Sequence, residues 1–198
     1  MKKLFILSFF VCLLFGSDTQ KIEESYFKSY DYEKMGRYEE AIKVLIPIYK
    51  KYPKGYTLNL RLGWLFYLDK KYNDAIKYYK KASILNTYAL DPRIGLIRIH
   101  LDRYDYEKAE HISYEVMKID YYNFYANLYA IKALILQKKY DIALKITRKM
   151  LALYPTNISY LEQLAIIYKQ TNSKYLKQLY DDILTLDPNN VLVRSELK

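Results

Sequence analysis

Residues 56–89 read YTLNLRLGWLFYLDKKYNDAIKYYKKASILNTYA. Two stretches of about a dozen residues with helical apolar periodicity flank the polar link Lys70–Lys71, so the segment reads as two helices joined by a tight turn. The marks of its second stretch, Tyr72 and Ala75, recur outward in both directions. Tyr38, Tyr72, Tyr106 and Tyr140 lie 34 residues apart, and Ala41, Ala75, Ala109 and Ala143 keep the same step. A shared period of that length means a stack of similar units, each too small to bury its own apolar face and completed only by its neighbours. The units are 22–55, 56–89, 90–123 and 124–157, with a degenerate fifth over 158–188 and a partial capping helix over 189–198. Links equivalent to Lys70–Lys71 occur at Met35–Arg37, Arg103–Asp105 and Lys138–Lys139. Pro53, Pro155 and Pro188 stop the second helix of their units, because proline lacks the N–H and clashes with the preceding turn.

The rest of the composition agrees with an all-α array. Of 198 residues, 52% are apolar and only 5 are Gly and 5 Pro, which argues against disorder and against a turn-rich β fold. Twenty-five tyrosines supply large apolar bodies with polar tips, suited to half-buried positions and to binding surfaces; base composition of the source genome explains them equally well. The formal charge of +10, mostly lysine, favours solubility and acidic partners and says nothing about fold.

At the amino terminus Lys2 and Lys3 precede an uncharged run from Leu4 to Ser17. As a helix this run is roughly 21 Å long, short of the roughly 30 Å core of a bilayer. It reads as a secretory signal peptide over residues 1–17, cut near Gly16 or Ser17, and predicts a periplasmic protein. Leu14 is larger than the residue usually preferred before such a cut, which keeps an uncleaved membrane anchor facing the periplasm as the alternative. Cys12 is the single cysteine, and the bulky Phe9, Phe10 and Val11 before it speak against lipidation. The mature chain then has no disulfide, zinc thiolate or nucleophilic thiol.

The repeat resembles the tetratricopeptide family through Leu62-Gly63, Tyr72, Ala75, Tyr79 and Ala82 in the second unit, Gly36, Tyr38, Ala41 and Pro53 in the first, and Ala130, Tyr140, Ala143 and Pro155 in the fourth. The resemblance covers roughly residues 22–188 and implies a right-handed superhelical solenoid of about five antiparallel helix pairs. It departs at Ile97 and Ile131, where the family places Gly or Ala, and at Ile48, Val116 and Met150, where it places Ala. Such bulk predicts helix pairs pushed apart or recrossed, and Pro47 predicts a kink in its helix.

The resemblance also places the first helix of each unit, helix A, on a concave groove. Columns along it hold Tyr30, Trp64, Arg98 and Lys132; Tyr26, Leu60, Ile94 and Leu128; and Glu33, Tyr67, Leu101 and Ile135. Together with Tyr125, the partner-binding set is Tyr26, Tyr30, Trp64, Tyr67, Arg98, Tyr125, Leu128 and Lys132. Exposed apolar stripes mark interaction surfaces, and aromatic and Arg side chains dominate binding hot spots. The alternative is that the stripe closes on itself or pairs with a second copy as a homodimer.

No convergent catalytic group is visible. His100 reads as a satisfied core histidine and His111 as solvated, with no second ligand at metal spacing. Glu39-Glu40 and Asp181-Asp182 lie on exposed faces, and no glycine-rich phosphate loop occurs. The expectation is a non-enzymatic scaffold without cofactor that holds a peptide or helix of a cell-envelope protein. The alternative is a structural protein docking on anionic lipid or cell-wall polymer through the second-helix lysines, Lys77, Lys80, Lys81, Lys145, Arg148 and Lys149. Nucleic acid fits the charge but not an export signal.

Overall fold

Helix follows helix along the chain, and no strand occurs among the described residues. The elements are α1 Lys2–Lys34, α2 Tyr38–Lys51, α3 Tyr56–Leu68, α4 Tyr72–Leu85, α5 Asp91–Asp102 and α6 Tyr106–Ile119. They continue as α7 Phe124–Leu136, α8 Tyr140–Leu153, α9 Ile158–Gln170, α10 Leu176–Leu186 and the short α11 Val191–Glu196. This computed structural model describes the backbone of residues 2–197 and the side chains of residues 18–197. The segment read as a signal peptide, with Cys12, lies outside the described side chains. α1 does not begin at residue 22: it is already helical at Asp18, whose carboxylate pairs with Lys51 of α2.

The turns carry the period most plainly. One residue in each link between the two helices of a unit has left-handed backbone: Gly36 (φ 71°), Lys70 (56°), Tyr104 (60°), Lys138 (60°) and Asn172 (51°). The next N–H reaches back to close the helix end, Arg37 to Tyr32 O at 2.8 Å, Lys71 to Phe66 O at 2.9 Å, Asp105 to His100 O at 2.8 Å, Lys139 to Leu134 O at 2.9 Å and Ser173 to Tyr168 O at 2.9 Å. That is a Schellman cap, which satisfies carbonyls the helix would otherwise leave orphaned. Helices α7, α9 and α11 start on matching asparagines. Asn123 accepts from the Ala126 N–H at 3.0 Å, Asn157 from Tyr160 at 3.2 Å and Asn190 from Val193 at 3.1 Å.

Contacts divide the chain into two compact units, residues 1–92 and 93–198. In the first, Ala41, Ile42 and Leu45 of α2, Leu58, Leu62 and Leu65 of α3 and Tyr78 of α4 make one core. In the second, Leu128, Ile131 and Leu134 of α7 pack with Ala143 and Met150 of α8 and Tyr160 and Ile167 of α9. A further cluster of Leu161, Leu164, Ala165, Leu179, Tyr180, Ile183 and Val193 closes its end. The alanine column Ala41, Ala75, Ala109 and Ala143 is wholly buried throughout. Helix α2 continues unbroken through Pro47.

Bulk at the close-packing position is offset by its partner on the second helix. A Cβ on Gly63 would meet the Tyr79 ring at 2.7 Å, so Gly63 is the space into which Tyr79 packs. The matching positions one period on hold Ile97 and Ser113, and two periods on Ile131 and Thr147; all four are wholly buried. A large first residue thus goes with a small second one. The two small hydroxyls turn onto their own helices, Ser113 to Ala109 O at 2.7 Å and Thr147 to Ala143 O at 2.8 Å. The isoleucines that predict separated helices occupy volume that tyrosine fills in the second repeat.

Candidate functional site

In residues 1–92 the polar centre of the helix A faces is Arg61, a guanidinium side chain only 7% exposed. It pairs with Glu33 of α1, its Nη2 donates to Ser29 Oγ at 3.0 Å, and its guanidinium lies 3.8 Å from the centre of the Tyr30 ring. A buried cation is tolerated only when paired and hydrogen-bonded, and Glu33 and Ser29 fill that role. Glu33 is shared: its second oxygen accepts from Trp64 Nε1 at 2.6 Å. The Trp64 ring in turn lies 5.5 Å from Tyr67, and Tyr67 lies 6.1 Å from Tyr72. Trp64 is therefore held by both its edge and its neighbour, while Tyr30 stays about half exposed at 48%.

Residues 93–198 carry a second aromatic–cation group. Arg98 of α5 donates through Nε to Tyr129 Oη at 2.7 Å, with its guanidinium 5.6 Å from the centres of both the Tyr125 and Tyr129 rings. The two rings stack at 6.0 Å. Tyr125, 49% exposed, and the half-buried Lys132 share the helix with them.

No family model and no curated protein matches the sequence. Solved structures do resemble it. A tetratricopeptide repeat protein from Parabacteroides merdae superposes with a TM-score of 0.77 at 19% identity, over 89% of this chain and 70% of that one. The protein MamA gives 0.70 at 16% identity, over 86% of this chain and 93% of its own. YrrB, described as a tetratricopeptide protein with an unusual peptide-binding site, gives 0.69 at 13% identity, over 90% and 96%. This chain has the tetratricopeptide-repeat fold.

Within that fold the sequence-predicted residues separate into two kinds. Tyr30, Trp64 and Tyr67 gather around the Arg61–Glu33 pair, and Arg98, Tyr125 and Lys132 lie on α5 and α7. Tyr26 is half-buried against the first core, and burial raises its phenol above the ordinary range. Leu128 does not face outward. It is 6% exposed among Ile131, Leu134 and Ala143, and Ile94 in the same column is 7% exposed. Leu128 and Ile94 therefore belong to the core, while Leu60 of the same column is half-buried.

Arg61, Ser29 and Tyr129 are absent from the sequence-predicted set. For Arg61 the signal was there: it is the one charge in the apolar run from Leu58 to Leu68. Tyr129 had none beyond being one tyrosine among many. Among the described residues no group of three or more His, Cys, Asp or Glu side chains is placed to hold a metal ion.

Proposed function

We propose that this is a non-enzymatic protein-interaction scaffold, and that its helix A faces hold a peptide or helical segment of a cell-envelope protein. The observation that carries the reading is the pair of pre-set aromatic–Arg groups, Tyr30–Arg61–Trp64 and Arg98–Tyr125–Tyr129. Their cations are fixed by neighbours before any partner arrives, so little side-chain entropy remains to be lost on binding. Tyr30 and Tyr125 are the exposed anchors, and aromatic anchors of this kind dominate binding energies. The peptide-binding site named for YrrB lends the reading its analogy. The basic start and short apolar run of residues 2–17 support export to the periplasm.

The test places a photocrosslinking side chain at Tyr30 or Tyr125, with the exposed Lys80 of α4 as control. The expected result is one discrete protein adduct from positions 30 and 125 and none from 80, recovered from the periplasmic fraction with a mass shortened by cleavage near residue 16 or 17. Adducts of equal yield at all three positions overturn the helix A reading. Full-length protein in the membrane fraction overturns export.

A further inference from the structure

Between the second helices α6 and α8 lies an open groove of about 940 Å³, away from the helix A faces. His111, Tyr114, Met117 and Lys118 line one wall, and Ile142, Lys145, Ile146 and Lys149 the other, with Tyr121 at the end. Each wall is a single helical stripe, spaced by three or four residues. The floor is apolar and the rim cationic.

The repeat itself explains why this groove is open. Two periods earlier, α2 and α4 carry Lys43, Ile46, Tyr49 and Lys50 facing Asp74, Lys77, Tyr78 and Lys81. There Tyr49 and Tyr78 meet edge to face at 5.2 Å, and Lys81 lies over the Tyr49 ring and donates to its hydroxyl at 2.8 Å. In α6 and α8 the two tyrosines are replaced by Met117 and Ile146, and Asp74 by Ile142. Two rings and one carboxylate are lost and one ring, Tyr114 in place of Ile46, is gained, while both outer lysines, now Lys118 and Lys145, are kept.

Lys149 adds an independent sign of charge preference. It donates to Asn127 Oδ1 at 2.6 Å and to Tyr121 O at 3.3 Å, and lies 3.9 Å from the Tyr121 ring centre. All these partners are neutral, and burial lowers its ammonium below the ordinary range. Of the acids beside the groove, Glu115 lies 3.5 Å from His111, and Glu110, which accepts from the Tyr114 hydroxyl, is paired with Lys139 at 2.8 Å. A half-buried cation with only neutral partners, beside two exposed lysines, favours a negative ligand.

We propose that the α6–α8 groove binds a medium-chain fatty-acid-type carboxylate, its chain on Met117, Ile142 and Ile146 and its head group between Lys118 and Lys145. The wall from His111 to Lys118 spans roughly 10 Å of helix, the reach of such a chain. Each further methylene buried in the groove should raise affinity about fourfold, until the groove is filled.

The experiment titrates the full chain with decanoate below its micelle concentration, reading heat and stoichiometry, alongside decanol and decyltrimethylammonium. One saturable site for decanoate, at least tenfold tighter than for either control, is expected. Met117→Tyr with Ile146→Tyr restores the ring pair of α2 and α4 and should abolish binding. Ile142→Asp, at a position 47% exposed and therefore tolerant, should weaken it at least tenfold without unfolding. Lys145→Gln should weaken decanoate but leave decanol unchanged. Absence of saturable decanoate binding, equal binding of the cationic analogue, or full binding by the folded Ile142→Asp protein overturns the proposal.

Discussion

Gly36 turns its link at φ 71°, and no heavy atom lies within 4 Å of where its Cβ would stand. A side chain there meets no obstacle, so only the left-handed backbone opposes it. Gly36→Ala is expected to cost about 1 kcal/mol. The converse holds at Lys138, exposed and at φ 60° in the equivalent turn. Lys138→Gly should gain about 0.5–1 kcal/mol, the relief of the left-handed cost less the entropy that glycine loses on folding. Urea unfolding of the two variants should move the midpoint in opposite directions, and a loss on Lys138→Gly would contradict the capping role. The position of these turns was legible from the 34-residue step. Their left-handed residue was not, since only Gly36 and Asn172 among Gly36, Lys70, Tyr104, Lys138 and Asn172 belong to types that favour it. Asn59 shows the same limit. Its Nδ2 repeats the bonds of Asn127, but its buried Oδ1 lacks the lysine that Asn127 has, because Lys81 goes to the Tyr49 hydroxyl. No single-residue propensity foretells that exchange.

Helix pairing is where sequence reading and structure part. Ile97 and Ile131 stood out as too large for their position, and the expected outcome was altered crossing. The compensating residues, Ser113 and Thr147, lie on the following helix and look unremarkable until Gly63 is seen receiving the Tyr79 ring. Volume is conserved over the facing pair, and a single-column comparison cannot detect that. The same limit hid the burial of Leu128, whose column was placed by analogy. Gly63→Ala puts a Cβ 2.7 Å from a ring that is itself 3% exposed, and should cost about 1–3 kcal/mol. Transplanting the fourth-repeat pair gives the sharper check. Gly63→Ile with Tyr79→Thr should be more stable than the sum of the two single changes implies, with a favourable coupling of about 1 kcal/mol or more. Strict additivity in thermal or urea unfolding would mean that the two positions do not share volume.

The stability of the whole molecule should fall in two steps as acid is added, and His100 governs the first. Its side chain is 15% exposed, with Nδ1 3.4 Å from Asp105 Oδ2. Burial lowers its pKa below the ordinary 6.5; the Asp105 carboxylate opposes that shift, and Lys108 and Arg103 add to it. The folded chain therefore prefers neutral imidazole. As pH falls through 6.5 the unfolded chain takes up a proton that the folded chain still resists, so stability declines until the folded value is passed. The second step belongs to carboxylates held low by partners, such as Asp105 beside Lys108 and Glu39 beside Lys71. Their contribution is present above the ordinary carboxylate range and is lost only as pH falls through their depressed folded values. Each proton also adds to a chain that already carries +10, so self-repulsion deepens the second step. Urea midpoints measured from pH 8 to pH 3 should show both limbs in the wild type. His100→Gln removes the imidazole but keeps a polar side chain, and should flatten the limb between pH 7.5 and 5.5 while leaving the lower one in place. An unchanged upper limb in that variant would assign the first step to another group.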